Sequence, residues 1–369
     1  MKKILSIFYD GLKINIICLN EELYNEQYKM YRDFFVDEKT PYTQEVNVFY
    51  SKNQKIVDRL NSEIQNDKDH FTINPFGNTI YNVQNKQSHV RFMAKDRNSI
   101  SIKQNNGNYV IVGSETTSTK YAPYILILEI ISRYNEINGR SIFHSTAFKL
   151  NDKGILVMGE SGSGKTTFLS KLIDAKQEIS FLSNDRAYVG DGKIYYFPLE
   201  IILSMGTVKH SDNLSRYFIE KKITDSWLHK ELSKAANNEK CGIKPKTFCE
   251  VNNIGYSASS NLSLIIFPQV DHVNKDNIQV KTLEYPEVVE RLRASCYTPN
   301  DKESHRDMWI EKGVLTNEEL EYLAHKNITN MAKTQLCLSC QYGENATGEQ
   351  ILGSIYREIL NKKELTCEK

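Results

Sequence analysis

Eight residues in the middle of the chain, Gly159-Glu160-Ser161-Gly162-Ser163-Gly164-Lys165-Thr166, have the types and spacing that hold a string of phosphates. Glycines let consecutive backbone N–H groups turn inward around an anion, and a helix opening at the end of the loop adds the positive end of its dipole. In that arrangement Lys165 reaches the β- and γ-phosphates and Thr166 offers its hydroxyl to Mg2+. The apolar run Ile155-Leu156-Val157-Met158 before the loop reads as a strand, and Thr166 to Ala175 after it reads as a helix. That context separates a phosphate-binding loop from a chance glycine-rich turn. Residues Gly159 to Thr167 are therefore the candidate nucleotide-binding set, with ATP and Mg2+ the expected cofactors.

A phosphate loop does not say where the γ-phosphate goes, so its neighbours must. His144, in Ser141-Ile142-Phe143-His144-Ser145-Thr146-Ala147, lies one hairpin before the loop's strand and is expected on the strand beside it. Asp185, in Phe181-Leu182-Ser183-Asn184-Asp185-Arg186, is expected to end an apolar strand that returns after the helix. Such strand ends meet at the carboxyl edge of a sheet, where phosphates lie. A carboxylate there can accept the proton of a hydroxyl held in line, and an imidazole can orient it or stabilise charge on the transferred group. The plain alternatives are a hydrogen-bonded core histidine and a strand-end cap. Arg186 either forks onto a phosphate or faces solvent.

The run from Phe143 to Phe197 resembles the HPr kinase/phosphorylase family, a P-loop group related in fold to phosphoenolpyruvate carboxykinase. It has that family's histidine-bearing strand, its hairpin into Gly-x-x-x-x-Gly-Lys-Ser/Thr, and its apolar strand ending in acidic residues. A weaker match extends to Thr334–Gly343 and the final helix. The resemblance implies a kinase whose His144 sits near the γ-phosphate and interacts with Asp185, while Lys165 and Thr166 keep their loop roles. It also implies a Ser or Thr hydroxyl on a peptide or small protein as acceptor, because relatives modify HPr or, like the lasso-peptide kinases, ribosomally made peptides. One departure matters. Where the family carries two adjacent aspartates, the first is here Asn184, and an amide cannot take a proton from an attacking hydroxyl. Asp185 must then be base, metal ligand or both, and phosphorolysis loses support. A small-molecule acceptor, an ATPase driving another protein, and a regulatory nucleotide-binding module without transfer are the rival readings. The ABC type of ATPase is disfavoured, since no Leu-Ser-Gly-Gly signature follows the loop. Relatives form symmetric oligomers, so a homo-oligomer is an option the resemblance brings, with no coiled-coil pattern to add to it.

The elements that must position these groups change character along the chain. Residues 1 to about 115 read as short β-runs with one helical interlude near Glu21 to Asp37, beginning with a hairpin across Asp10-Gly11. From Ser141 strands and helices alternate, which is how a sheet flanked by helices is written. The expected class is therefore α/β: a P-loop catalytic domain with a mixed sheet at 119–369, preceded by a smaller β-rich domain at 1–118. Ser215 to Ala236 reads as helix, and the Asn-, Ser-, Gly- and Lys-rich stretch from there to about Asn261, with Lys244-Pro245-Lys246, reads as a loop or insertion. Capping boxes are expected at Thr316/Glu319 and Thr347/Gln350.

The remaining signals are set aside or exclude partner classes. His305-Arg306-Asp307 imitates a protein-kinase catalytic loop but has Lys312 where that loop needs asparagine. Cys337 and Cys340 fall on opposite faces of a strand and suit buried thiols better than zinc. Lys and Arg number 47 against 46 Asp and Glu, so no global field recruits nucleic acid or an anionic membrane. Asp10 and Lys13 interrupt the apolar N-terminus before it makes a secretion signal, and no run is long enough to span a membrane. Seven cysteines, an odd count, point to free thiols in a reducing, cytoplasmic setting.

Overall fold

Asp10 and Gly11 take φ of 40° and 87°, the two positive values a tight hairpin turn requires. They fold β1 (Lys3–Tyr9) back onto β2 (Leu12–Cys18), with Tyr9 opposite Leu12. The computed structural model describes residues 2–32, 41–65, 71–73, 81–86, 89–94, 99–103, 107–114, 122–160, 162–175, 177–220, 236, 239–299 and 314–367. The chain divides into one unit of Met1–Asn138 with Pro299–Glu319 and a second of Gly139–Thr298 with Leu320–Lys369.

In the first unit, helix α1 (Glu21–Tyr31) starts where the Asn20 side chain accepts the Leu23 N–H at 2.9 Å. It leads to β3 (Gln44–Lys52), which lies parallel to β2. Helix α2 (Gln54–Gln65) follows, then a small antiparallel sheet of β4 (Phe71–Ile73), β5 (Tyr81–Lys86) and β6 (His89–Ala94). Strands β7 (Ser99–Lys103) and β8 (Tyr109–Gly113) complete a five-stranded sheet of order β1-β2-β3-β8-β7, with β8 parallel to β3. Parallel neighbours need crossovers, and α1 supplies one of them, so this unit is mixed rather than merely β-rich. Helix α2 went unexpected, although Ile56, Val57, Leu60 and Ile64 are spaced for one helix face.

Helix α3 (Ala122–Ile137), which the sequence places within 119–369, groups with the first unit, whose first segment runs to Asn138. Leu126, Ile127, Ile130 and Ile131 are buried there. Tyr134 donates to the Asp10 carbonyl at 2.6 Å, and Asn135 donates to the Tyr9 hydroxyl at 2.9 Å. An apolar helix joins the sheet that can cover it, and a sequence pattern does not name that sheet.

The second unit is built on a nine-stranded mixed sheet. Strand β9 (Ser141–Leu150) turns back into β10 (Lys153–Met158), which runs into the glycine loop and helix α4 (Lys165–Asp174). Next come β11 (Ile179–Ser183), β12 (Arg186–Gly190) and β13 (Lys193–Tyr195). Strand β14 (Ile201–Ser204), helices α5 (Met205–Lys209) and α6 (Asp212–Glu220), strand β15 (Lys240–Ile243) and helix α7 (Pro245–Asn252) precede the short β16 (Gly255–Tyr256). The long β17 (Ser259–Asp271), β18 (Ile278–Thr282), helices α8 (Tyr285–Ser295) and α9 (Asn317–Thr334), β19 (Leu336–Gly343) and helix α10 (Gly348–Cys367) close the chain.

Pairing runs β9–β12–β13–β17–β10 and back to β9, a closed circuit of strands. Phe143, Leu156, Met158, Ile194 and Ile265 belong to one buried cluster with this circuit. Closure leaves few unpaired strand edges near the glycine loop and holds its strand from both sides.

The stretch read as a loop contains packed elements. β15 pairs with β14, and Lys244-Pro245 begins α7, with proline in the first turn where its missing N–H costs nothing. Of the helix expected over Ser215–Ala236, Ser215 to Glu220 fall in α6, while 221–235 lie outside the described residues, as do His305, Arg306, Asp307 and Lys312. Both capping boxes form: Thr316 N donates to Glu319 at 2.7 Å and Thr347 N to Gln350 at 2.9 Å. Among the described residues no helix is long and apolar enough to cross a membrane.

Candidate functional site

Strand β10 delivers the chain to a loop that only glycine can make at three points: φ is 154° at Gly159, 85° at Gly162 and 92° at Gly164. A Cβ on Gly164 would stand 2.6 Å from Val270 Cγ2 and 2.9 Å from the Tyr342 hydroxyl. Tyr342 also donates to the Gly164 carbonyl at 3.1 Å, so the ends of β17 and β19 wedge the loop from behind. Gly164→Ala is expected to lose about 1–2 kcal/mol from the positive φ alone, before the clash, and to weaken nucleotide binding in parallel. Chemical denaturation and a binding titration read the two effects, and a variant with wild-type stability and affinity would contradict this account of the wedge.

Lys165 is buried, and its ammonium donates to the carbonyls of Gly159 at 2.8 Å and Glu160 at 3.0 Å. Burial pushes its pKa down to about 8, against the opposing pull of the Asp185 charge. Ser163 N donates to the Glu160 carbonyl at 3.1 Å. The Ser163 hydroxyl is buried with no hydrogen-bond partner among the described residues, a polar atom that a ligand in the loop could satisfy. Gly159 and Glu160 follow β10, and Gly162, Ser163 and Gly164 lead into α4 with Lys165, Thr166 and Thr167, whereas Ser161 lies outside the described residues.

Asp185 stands just past the end of β11, and the pairing with β9 then resumes in β12. β11 and β12 both run antiparallel to β9, with Ser183 opposite Ala147 and Arg186 opposite His144, so the strand breaks at Asn184-Asp185 and resumes. At the break Asp185 takes φ 66°, a left-handed turn that aspartate tolerates better than most residues. Ser145 N donates to its carbonyl at 3.2 Å, which holds the break against β9. Such interruptions re-aim side chains that a regular strand would send to fixed faces.

The consequence is a division of labour. Asn184 Oδ1 accepts from the Thr146 hydroxyl at 2.8 Å and from the Thr166 hydroxyl at 3.2 Å. The half-exposed Asp185 places Oδ1 3.5 Å from His144 Nε2 and Oδ2 3.9 Å from Arg186 Nε. Burial raises the Asp185 pKa, but the His144 hydrogen bond together with the Arg186, His144 and Lys165 charges outweighs it and leaves the carboxyl below its usual range. The expected pair of His144 and Asp185 is thus brought together beside Lys165, while Thr166 turns to Asn184.

Two contributors escaped the sequence reading. Asn184 cannot act as a carboxylate, but its amide oxygen accepts the Thr166 hydroxyl's hydrogen bond and so leaves that hydroxyl's lone pairs for another partner. Tyr297 stacks on His144 with ring centroids 5.3 Å apart and planes 16° from parallel, and the Arg186 guanidinium lies 5.6 Å from the same ring. Tyr297 N donates to the Ile142 carbonyl at 2.9 Å, which anchors it beside β9. No motif signals it, because its position depends on where α8 ends. Asn184→Ala would strand the buried Thr146 hydroxyl, at an expected cost of about 1–3 kcal/mol in chemical denaturation. An unchanged midpoint would mean that Thr146 has another acceptor.

No family model matches the chain, and no curated protein matches it. Among solved structures the chain is similar to the HPr(Ser) kinase/phosphatase from Coxiella burnetii, at 10% sequence identity and a TM-score of 0.25, with 62% of this chain and 99% of that one covered.

Proposed function

We propose that this chain is an ATP- and Mg2+-dependent kinase that transfers the γ-phosphate to a Ser or Thr hydroxyl of a peptide or small protein. The observation that carries the reading is the meeting of His144 and Asp185, 3.5 Å apart, beside Lys165 at the mouth of the glycine loop. A loop that merely stores a nucleotide has no use for a deprotonated carboxylate braced by an imidazole and a guanidinium at that point.

The donor set suits Mg2+, which takes oxygen ligands, few of them from protein and the rest from phosphates and water. Thr166 Oγ1, oriented by Asn184, and the Asp185 carboxylate are the residues that would hold it. When bound, the ion would neutralise negative charge on the phosphates. Lys165 leaves the carbonyls of Gly159 and Glu160 and turns its ammonium to the phosphates. Asp185 holds the acceptor hydroxyl in line and takes its proton. A carboxylate below its usual pKa is a weak base, but a loose phosphoryl-transfer transition state asks for orientation more than for proton abstraction. His144, clamped between Asp185 and Tyr297, keeps the carboxylate aimed and can stabilise charge on the moving phosphoryl group.

The test is incorporation of label from γ-labelled ATP and Mg2+ into candidate peptides and small proteins, with phosphoamino-acid analysis of the product. Phosphoserine or phosphothreonine supports the reading. Label appearing solely as free phosphate, with every acceptor class tried, would favour an ATPase, and label on a metabolite would favour a small-molecule kinase.

A further inference from the structure

A cleft of about 420 Å3 opens against α4 at Thr167, one residue beyond the hydroxyl that turns to Asn184. Its volume falls within the ~300–1,000 Å3 common for small-molecule sites. One wall is the stripe Thr167, Ser170, Lys171 and Asp174, whose spacing puts all four on a single helix face. Opposite stand Thr207 and His210 from α5 and its end, and Asn345 to Glu349 at the entry to α10.

The walls are braced against each other. Thr167 Oγ1 lies 3.0 Å from Thr207 Oγ1, and Lys171 Nζ donates at 2.8 Å to both the Glu344 and Ala346 carbonyls. Gly348 packs so closely that a Cβ there would stand 1.9 Å from the Lys171 carbonyl. A cleft held open this way is preformed rather than dependent on its ligand.

Its charge does not suit an anion. Lys171 is committed to two carbonyls, and Asp174 adds a carboxyl whose pKa is raised by burial and by Asp212. Its polar groups suit a neutral, hydroxyl-bearing ligand. The Thr167 and Thr207 hydroxyls can redirect to a sugar. Asn345 donates one amide N–H to Asp276 at 3.0 Å, and Thr347 Oγ1 accepts from Gln350 N at 3.3 Å. That leaves the other Asn345 N–H, its carbonyl and the Thr347 hydroxyl proton for a ring edge, and the exposed His210 offers a flat face for stacking.

A phosphate chain with its terminal phosphorus at Lys165, His144 and Asp185 would run back along the first turn of α4, where Thr167, a lining residue of the cleft, follows Thr166. We propose that this cleft receives the base and ribose of the nucleotide whose phosphates the glycine loop holds, an inference that rests on the phosphate-loop reading above.

The probes are a non-hydrolysable ATP analogue and inorganic tripolyphosphate, each with Mg2+, titrated into the full chain. Asn345→Trp places a bulky ring at the cleft mouth from an exposed position, and Lys165→Ala serves as the loop control. The expected result is that Asn345→Trp weakens the ATP analogue by about tenfold or more and leaves tripolyphosphate within about twofold, while Lys165→Ala weakens both. Unchanged analogue binding in Asn345→Trp, with both ligands weakened by Lys165→Ala, overturns the cleft and leaves the loop standing. Failure of the wild-type chain to bind either ligand overturns both. Photolabelling of the unmodified protein with 2-azido-ATP guards against a misfolded variant: adducts within 207–210 or 345–349 support the cleft, and adducts confined to other segments sink it.

Discussion

Asp185→Asn is expected to lower the rate of phosphoryl transfer about 10²–10⁴-fold while leaving nucleotide affinity nearly unchanged. The asparagine is isosteric and keeps the break between β11 and β12, so the effect reports chemistry and not folding. On the proposed mechanism it removes the acceptor of the hydroxyl proton, together with the charge that stands 3.5 Å from His144 and 3.9 Å from Arg186. Affinity is expected to survive because in the proposed site the loop amides and Lys165 hold the phosphates, and Thr166 with the amide oxygen introduced at position 185 still offers the metal its oxygens. Single-turnover transfer and an equilibrium titration on the same preparation separate the two quantities. Transfer at the wild-type rate in Asp185→Asn would overturn the assignment of this residue, and so the reading that depends on it.

Lys165→Ala has the second large effect, and it falls on binding. Hydrogen bonds to a charged group contribute about 1.5–3 kcal/mol, so losing the ammonium should weaken nucleotide binding by roughly one to two orders of magnitude. The wild-type protein also carries a pH signature. With its pKa pushed down to about 8, the free protein loses the Lys165 proton as pH rises through that value. Bound phosphates favour the ammonium, so above that pH the complex holds a proton that the separate partners lack, and affinity falls as pH rises. Calorimetry in buffers of different ionisation enthalpy should show proton uptake on binding there, and Lys165→Ala should abolish it. In Asp185→Asn the carboxylate no longer supports the ammonium, so the alkaline decline should move to lower pH. Affinity that stays flat well beyond pH 8 in the wild type would refute the role given to Lys165.

The same depressed pKa bears on folding. Between about 8 and the ordinary 10.5 the unfolded chain keeps the proton that the folded one releases, so this residue makes stability rise with pH across that window. Lys165 is therefore held charged at a cost to the fold, which phosphate binding in the proposed site would offset.

Much of this was legible along the chain, and the reasons are local. The glycine loop, the Asp10-Gly11 turn and the capping boxes at Thr316 and Thr347 depend on dihedral preferences and short-range hydrogen bonds that neighbouring residues carry within themselves. The hairpin from β9 into β10 is equally local, and it is what put His144 beside the loop. What tertiary structure alone decided is partnership between distant segments. It chose Asn184 rather than Asp185 for the Thr166 hydroxyl, turned Asp185 toward His144 through a break inside a strand, and stacked Tyr297 on that imidazole. It also gave α3 to the first unit and formed α7 in a stretch that reads as loop. Residue types announce which chemistry is available, whereas the direction a side chain faces depends on register shifts and packing that come from the far side of the sheet.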